Sequence, residues 1–152
     1  MKPKTELQHH LEVATWLKRK YPDVIFRTDY SAGLKLTIGQ AKVHNRLQHG
    51  KGYPDLWIAK AIYPFHGLYI ELKKDGTTII LKNGQLTADK HIREQAVVLG
   101  SLFRAGYGAA FAIGHLQAKQ IIDDYMKGEV VYPLKYLDGE FMPITTPLDN
   151  PF

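Results

Sequence analysis

The sequence predicts an α/β fold in which a small mixed sheet is flanked by helices. Helical periodicity runs through residues 5–20 and 88–104, and strand-like segments separated by turn residues fill the centre. An all-apolar run at 109–113 then precedes a last amphipathic segment. The order helix, three meandering strands, helix, strand and helix is typical of such a sheet. A length of 152 residues favours a single domain.

The first helix is predicted over residues 5–20. Thr5 and Gln8 form a capping box at its start, and Tyr21-Pro22 ends it. The apolar stripe that we expect to face the core consists of Leu7, Leu11, Ala14 and Leu17.

The middle of the chain alternates strands and turns. A short strand over 24–28 is followed by a short helix over 40–48. Strands over 55–60 and 67–74 are joined by a turn that contains proline, and residues 77–81 are predicted as the next strand because Asp-Gly, a tight-turn dipeptide, precedes them.

The second half contains the clearest helix, over residues 88–104. The apolar run at 109–113 is typical of a buried strand, and a final helix ends near Gly128. We therefore expect a domain over residues 1–128. Residues 129–152 contain four prolines and are predicted to form an arm that packs on its own subunit or on a neighbour. Apolar residues of this arm without an obvious place in the core are Tyr132, Leu134, Tyr136, Phe141, Met142 and Phe152.

The composition excludes several classes of protein. The chain has no cysteine, which excludes a disulfide scaffold, a zinc ribbon and an iron–sulfur site. No apolar run approaches the roughly 18 residues of a membrane span, and the polar N-terminus lacks the apolar core of a signal peptide. No P-loop or dinucleotide fingerprint is present, so no nucleotide cofactor is expected. We expect a cytoplasmic protein without membrane association.

The basic residues are concentrated at the start of the chain. Residues 1–51 contain ten Lys and Arg against four Asp and Glu, whereas the remainder contains ten against eleven. This asymmetry favours a face that binds a polyanion, most often nucleic acid. A solvated, lysine-rich helix surface is the alternative that charge alone leaves open.

Two short motifs carry the candidate chemistry: Gly52-Tyr53-Pro54-Asp55, and Ile70-Glu71-Leu72-Lys73. In an antiparallel hairpin, the residue numbers of every directly opposite pair add up to the same value. The midpoint of 55 and 71 is 63, which lies in the turn between the two strands. Asp55 is therefore predicted opposite Glu71, to within two residues, with Cβ atoms about 5 Å apart. Two carboxylates and a backbone carbonyl, here that of Leu72, form an all-oxygen site that suits Mg²⁺ or Mn²⁺. Lys73 lies on the same strand face, where it could orient or deprotonate an attacking water.

A lone Glu-x-Lys is usually an exposed cross-strand charge pair, so this tripeptide by itself does not indicate a catalytic site. The combination of the Gly-x-Pro-Asp turn, the register that aligns the acids and the strand with one apolar face favours a catalytic site.

These motifs, with Gln95 on a later helix before Gly106-Tyr107, resemble the VRR-NUC family of the PD-(D/E)XK nuclease superfamily over roughly residues 5–126. The resemblance implies a restriction-endonuclease-like αβββαβ core with four strands. It also implies a metal-dependent DNase of a bacterium or phage, acting on duplex or branched DNA such as four-way junctions, and a homodimer.

The resemblance also implies roles for individual residues. Asp55 and Glu71 match the metal ligands, and Lys73 matches the catalytic lysine. Glu6 matches an N-terminal acid that completes the metal site, and Gln95 matches a glutamine on the helix behind the sheet. From the residues alone, the helix dipole suffices to explain Glu6, and Gln95 is expected to be an exposed helix residue. The segment between Lys73 and Gln95 is also longer than the compact members of the family lead us to expect.

Contacts with DNA are predicted for four basic residues that precede the catalytic turn: Lys35, Lys42, Arg46 and Lys51. The histidines are expected to contribute little. His9 and His10 are adjacent and should point apart on a helix, and His44 and His49 do not share a helix face. The competing hypotheses are a non-catalytic nucleic-acid-binding module with a nuclease-like fold and a structural partner subunit.

Overall fold

In the part of the chain that the structure describes, four strands form one mixed sheet in the order β1-β2-β3-β4. In this computed structural model, which describes residues 2–30 and 34–137, the strands are β1 Phe26–Thr28, β2 Leu56–Ile58, β3 Leu68–Lys73 and β4 Gly108–Ile113. The first three are antiparallel neighbours, and β4 runs parallel to β3. The predicted α/β fold class is confirmed.

Among the described residues, four helices flank the sheet: α1 Glu6–Lys20, α2 Ile38–Arg46, α3 Lys90–Arg104 and α4 Gly114–Met126. The predicted capping box opens α1, and a second one opens α2. Helices α1 and α4 pack on each other and on β3, whereas α3 packs on β3 and β4. Within the described ranges, no helix is long and apolar enough to cross a membrane.

Residues 77–81 do not form the strand that the sequence predicts. Only an isolated bridge joins Ile80 to Leu86, although Ile79 is buried in the core. The reason is that β3 already has β2 on one side and β4 on the other, so it offers no free edge to a following strand. The tight turn at Asp75-Gly76 therefore leads into a loop that returns to α3.

The buried face of α1 also differs from the predicted stripe. Leu7 and Leu11 are 40% and 56% exposed, and the buried residues are His9, His10, Val13 and Leu17. The helix is rotated because the two histidines find polar partners inside the protein. The Nδ1 of His9 accepts the backbone N–H of His115, and the Nδ1 of His10 lies within hydrogen-bond distance of the Thr28 hydroxyl.

The start of the predicted C-terminal arm belongs to the core of the domain. Val131 is fully buried, and Tyr132, Leu134 and Leu137 are at most 8% exposed, so the expectation that Tyr132 and Leu134 lack a place in the core is wrong. Tyr136 packs against the same core. Phe141, Met142 and Phe152 lie outside the described residues.

This segment also completes the outer edge of β4. The N–H groups of Ala109 and Phe111 donate to the carbonyls of Val131 and Pro133, and the N–H of Ile113 donates to the Gln117 side chain. An open strand edge would leave these groups unpaired. Residues up to Leu137 are therefore part of the folded unit.

Candidate functional site

The hairpin of β2 and β3 has the register that the sequence predicts. Leu56 pairs with Ile70 and Trp57 with Tyr69, so Asp55, immediately before β2, lies opposite Glu71. The N–H of Leu72 donates to Asp55 Oδ2 at 3.0 Å, which fixes the carboxylate beside the strand.

The turn that carries Asp55 is held against α3 by a close backbone approach. Gly52 has a φ of +87°, and a Cβ at this position would lie 2.8 Å from the carbonyl oxygen of Glu94. Only glycine combines this dihedral angle with the absence of a side chain. The glycine of the Gly-Tyr-Pro-Asp motif therefore allows the turn, and with it Asp55, to approach the helix that carries Gln95.

Glu71 is a buried carboxylate in the middle of the sheet, with 2% of its surface exposed. Its Oε1 accepts a hydrogen bond of 2.6 Å from the Gln95 amide and lies 3.0 Å from the ammonium of Lys73. Its Oε2 is buried and has no hydrogen-bond partner among the described residues. One oxygen is thus held by the protein while the other remains available to a ligand.

Gln95 is 4% exposed, so the expectation of an exposed helix position is wrong. It is buried on α3 together with Ile92, Ala96 and Leu99. Its position three residues after Ile92 and four before Leu99, at the edge of the apolar stripe, is the signal in the sequence that indicates burial.

His10 lies beside Glu6 and Asp55, contrary to the expectation that the histidines contribute little. The ligand atoms of Glu6, His10 and Asp55 all lie within 4.8 Å of one another. The Nδ1 of His10 is directed at the Thr28 hydroxyl, and its Nε2 is buried without a hydrogen-bond partner among the described residues. Glu6 and His10 are four residues apart on α1, so the spacing of one helical turn could have revealed that they share a face.

Burial changes the protonation of these groups. It raises the pKa of Asp55, and the neighbouring Glu71 carboxylate raises it further. Burial likewise raises the pKa of Glu71, against the opposing effect of Lys73. Burial lowers the pKa of His10, which favours a neutral ring with a free lone pair. The site thus gathers carboxyl groups that repel one another without a cation.

A cavity of about 430 Å³ is lined by the acids Glu6, Asp55 and Glu71, and Lys51 and Lys73 line it as well. Lys35, Lys42 and Arg46 are exposed and do not line it.

Helix α2 faces this cavity with His44 and Asn45, and Gln48 lines it just beyond the end of the helix. Lys42 and Arg46 are each two residues from His44, which places them on the other side of the helix.

No protein-family model and no curated protein matches the sequence. A solved structure described as a "VRR_NUC domain protein" is similar to this chain with a TM-score of 0.59 and 26% sequence identity, and the match covers 86% of this chain and 95% of that one.

The predicted resemblance to VRR-NUC proteins is confirmed. The mixed sheet and its helices form a VRR-NUC nuclease-like fold, which indicates a nuclease-type function. In this VRR-NUC-like fold, the long segment between Lys73 and Gln95 does not keep the two side chains apart, since both contact the same oxygen of Glu71.

Replacing Asp55 by Asn is expected to stabilise the protein in EDTA, because it removes a buried carboxyl group whose ionisation is opposed by burial and by the neighbouring Glu71. A carboxyl group whose pKa is raised by folding contributes its full stabilisation when the pH is below its ordinary pKa. This contribution to stability is lost as the pH rises through the raised pKa. The melting temperature of Asp55→Asn minus that of the wild type should therefore grow from pH 5.5 to pH 8.5, by about 2–4 °C for each kcal/mol.

The exposed Asp23→Asn serves as the control in the same thermal melts. A difference that shrinks as the pH rises, or that Asp23→Asn reproduces, would contradict the proposed repulsion at Asp55.

Proposed function

We propose that this protein is a Mg²⁺- or Mn²⁺-dependent endonuclease that hydrolyses phosphodiester bonds of DNA. The observation that carries the proposal is the convergence of Asp55, Glu71 and Lys73 in one cavity, with Gln95 holding one oxygen of Glu71. A module that only binds nucleic acid gains nothing from buried carboxylates, because they repel phosphates. This is the reason to prefer the enzyme over the binding module.

The residues that would hold the ion are Glu6, Asp55, Glu71 and the carbonyl of Leu72, and His10 adds a nitrogen. The donors fit a divalent cation because two buried atoms, Glu71 Oε2 and His10 Nε2, have no other partner among the described residues. The N–H and C=O of a strand residue point to the same side, so the Leu72 carbonyl faces Asp55 as its N–H does. When bound, the ion would polarise the phosphate and offset its developing charge.

Lys73 and Gln95 have separate roles in this proposal. The Lys73 side chain is 15% exposed and lies beside Glu71. As an ammonium it would orient the attacking water by donating to its oxygen, and as a neutral amine it would accept the proton that the water loses. Gln95 is a positioning residue, since its amide occupies Glu71 Oε1 and leaves Oε2 for the ion. Both act from elements fixed by the core, β3 and α3.

Phosphates of the substrate would meet Lys51 first, since it lines the cavity. Lys35, Lys42 and Arg46 are proposed to contact the DNA backbone further from the cut, where they add affinity without reading the sequence. A DNA substrate that extends past α2, whether duplex or branched, would reach both groups.

Substitution of the acids tests the enzyme directly. Asp55→Asn and Glu71→Gln should abolish nicking of a supercoiled plasmid, because each removes a charge that holds the ion, and Lys73→Ala should reduce nicking at least 100-fold. The neighbouring Lys74→Ala, at an exposed position, is the matched control. Undiminished cleavage by Lys73→Ala would exclude its role with water. Wild-type protein that leaves supercoiled, linear and branched DNA intact in both metals would exclude the function.

His10 should make the site prefer Mn²⁺ to Mg²⁺, since an imidazole nitrogen suits Mn²⁺ better. In calorimetric titrations, His10→Ala is expected to weaken Mn²⁺ binding at least 10-fold and Mg²⁺ binding less. Thr28→Val should have a smaller effect in the same direction, because it removes the group that orients the ring. His66→Ala, at an exposed position, is the control. Equal losses for the two ions would show that His10 is not a ligand.

Paired cuts in a duplex or four-way junction need two sites in fixed relation, and we propose that a homodimer supplies them. Residues up to Leu137 pack on their own core, so we propose that residues 138–152 contribute to the contact between subunits. Sedimentation of the full chain should give a dimer at micromolar concentration, and a chain ending at Leu137 should dissociate more readily. A monomeric full chain would exclude the dimer, and an unchanged dimer after truncation would exclude the arm.

A further inference from the structure

The register of the sheet arranges side chains in two parallel rows on the face that carries the acids. Backbone pairing of Asp29 with Asp55 extends the ladder, so Asp29, Asp55 and Glu71 form one row. The next row consists of Arg27, Trp57 and Tyr69, which pair directly across the three strands. Residues two apart on a strand share a face and are about 7 Å apart, so the second row lies one such step from the acids.

Trp57 in this second row is a large aromatic side chain with 41% of its surface exposed. Its ring is nearly parallel to that of Tyr69, at 15° and with 6.2 Å between centroids. Tyr69 is itself fixed by edge contacts with Tyr53 and Tyr107, at 5.8 and 5.4 Å between centroids. The indole is therefore braced from within the protein while part of its surface faces solvent.

A second cavity, of about 510 Å³, lies over this row. Arg27, Tyr53 and Trp57 line it. His44 of α2 also lines it, together with Leu47 and Gln48 just beyond that helix. Asp29, Asp55 and Tyr53 line both this cavity and the one that holds the acids, so the two are contiguous. The volume is that of a site for a small organic ligand.

We propose that this second cavity binds one unpaired nucleotide of the DNA substrate, next to the phosphate at the acids. The inference rests on the proposed function. An exposed indole is a stacking surface for a base, and Arg27 in the same row supplies the positive charge for that nucleotide's phosphate. A base within a duplex is stacked and paired, so its face cannot reach Trp57. The site therefore favours DNA with a single-stranded nucleotide beside the cut.

The same geometry separates the two rows by charge. The acid row repels phosphates unless a cation lies there, whereas the neighbouring row offers a guanidinium and an aromatic face. A single strand that crosses the rows would place one phosphate at the acids and the adjoining nucleotide at Trp57. Specificity for DNA structure would then arise from the sheet itself, before any contribution of a second subunit.

Binding measured without cleavage tests this inference. All proteins would contain Glu71→Gln, and fluorescence anisotropy would compare a duplex carrying a single-stranded flap with the corresponding blunt duplex. Trp57→Ala should lower the ratio of flap affinity to duplex affinity about 10-fold, in line with the loss of one stacked base. Trp57→Phe should retain part of the preference. Trp16→Phe, which changes the tryptophan packed on Tyr21, is the control.

A direct readout uses the only two tryptophans of the chain. With Trp16→Phe in place, Trp57 is the sole tryptophan, and an eight-nucleotide oligothymidylate should quench its fluorescence while a blunt duplex quenches it much less. Equal quenching by both, or an unchanged affinity ratio in a folded Trp57→Ala, would overturn the inference. Neither measurement needs cleavage, so a wild-type protein without nuclease activity would overturn the proposed function alone.

Discussion

The buried carboxylate of Glu71 is the constraint on which the rest of the site depends. A charge with 2% exposure in the centre of a sheet is costly unless it has partners. The fold supplies Lys73 from the same strand and Gln95 from α3 for one oxygen, and leaves the other without a partner among the described residues. Asp55 opposite it increases the repulsion. The protein therefore tolerates a locally unfavourable arrangement, of the kind that binding of a divalent cation relieves.

The elements around Glu71 each contribute one group by a different physical means. The register of the hairpin sets Asp55, and a glycine with positive φ lets its turn approach α3. The rotation of α1 sets His10, because buried polar partners outweigh the exposure of Leu7 and Leu11. Packing of α3 on β3 and β4 sets Gln95. No single element makes the site, so its geometry depends on the whole fold.

What the sequence predicts correctly is what local rules determine. The capping box defines the start of α1, and the apolar stripe defines α3 closely. The hairpin register follows from a turn only a few residues long. The errors concern long-range packing. The rotation of α1 depends on His115 and Thr28, the absence of a strand at 77–81 depends on β4, and the burial of Val131 depends on the open edge of that same strand. None of these partners is near in sequence, so periodicity and spacing contain no information about them.

The sheet and α2, which both line the two cavities, differ in how firmly the core holds them. The sheet, α1 and α3 share one core, whereas α2 has no buried residue and exposes Ile38 and Val43 by 80% and 57%. A helix with so little buried surface is stabilised mainly by its capping box, and opening it costs less than disturbing the sheet. Helix α2 lines both cavities, and the sheet with the acids and Trp57 lines them as well. Each cavity therefore has one weakly held side, α2, and one firmly held side, the sheet. A bulky polymer can thus enter without loss of the geometry at Glu71, since Asp55, Lys73 and Gln95 are all held by the sheet and α3 and not by α2.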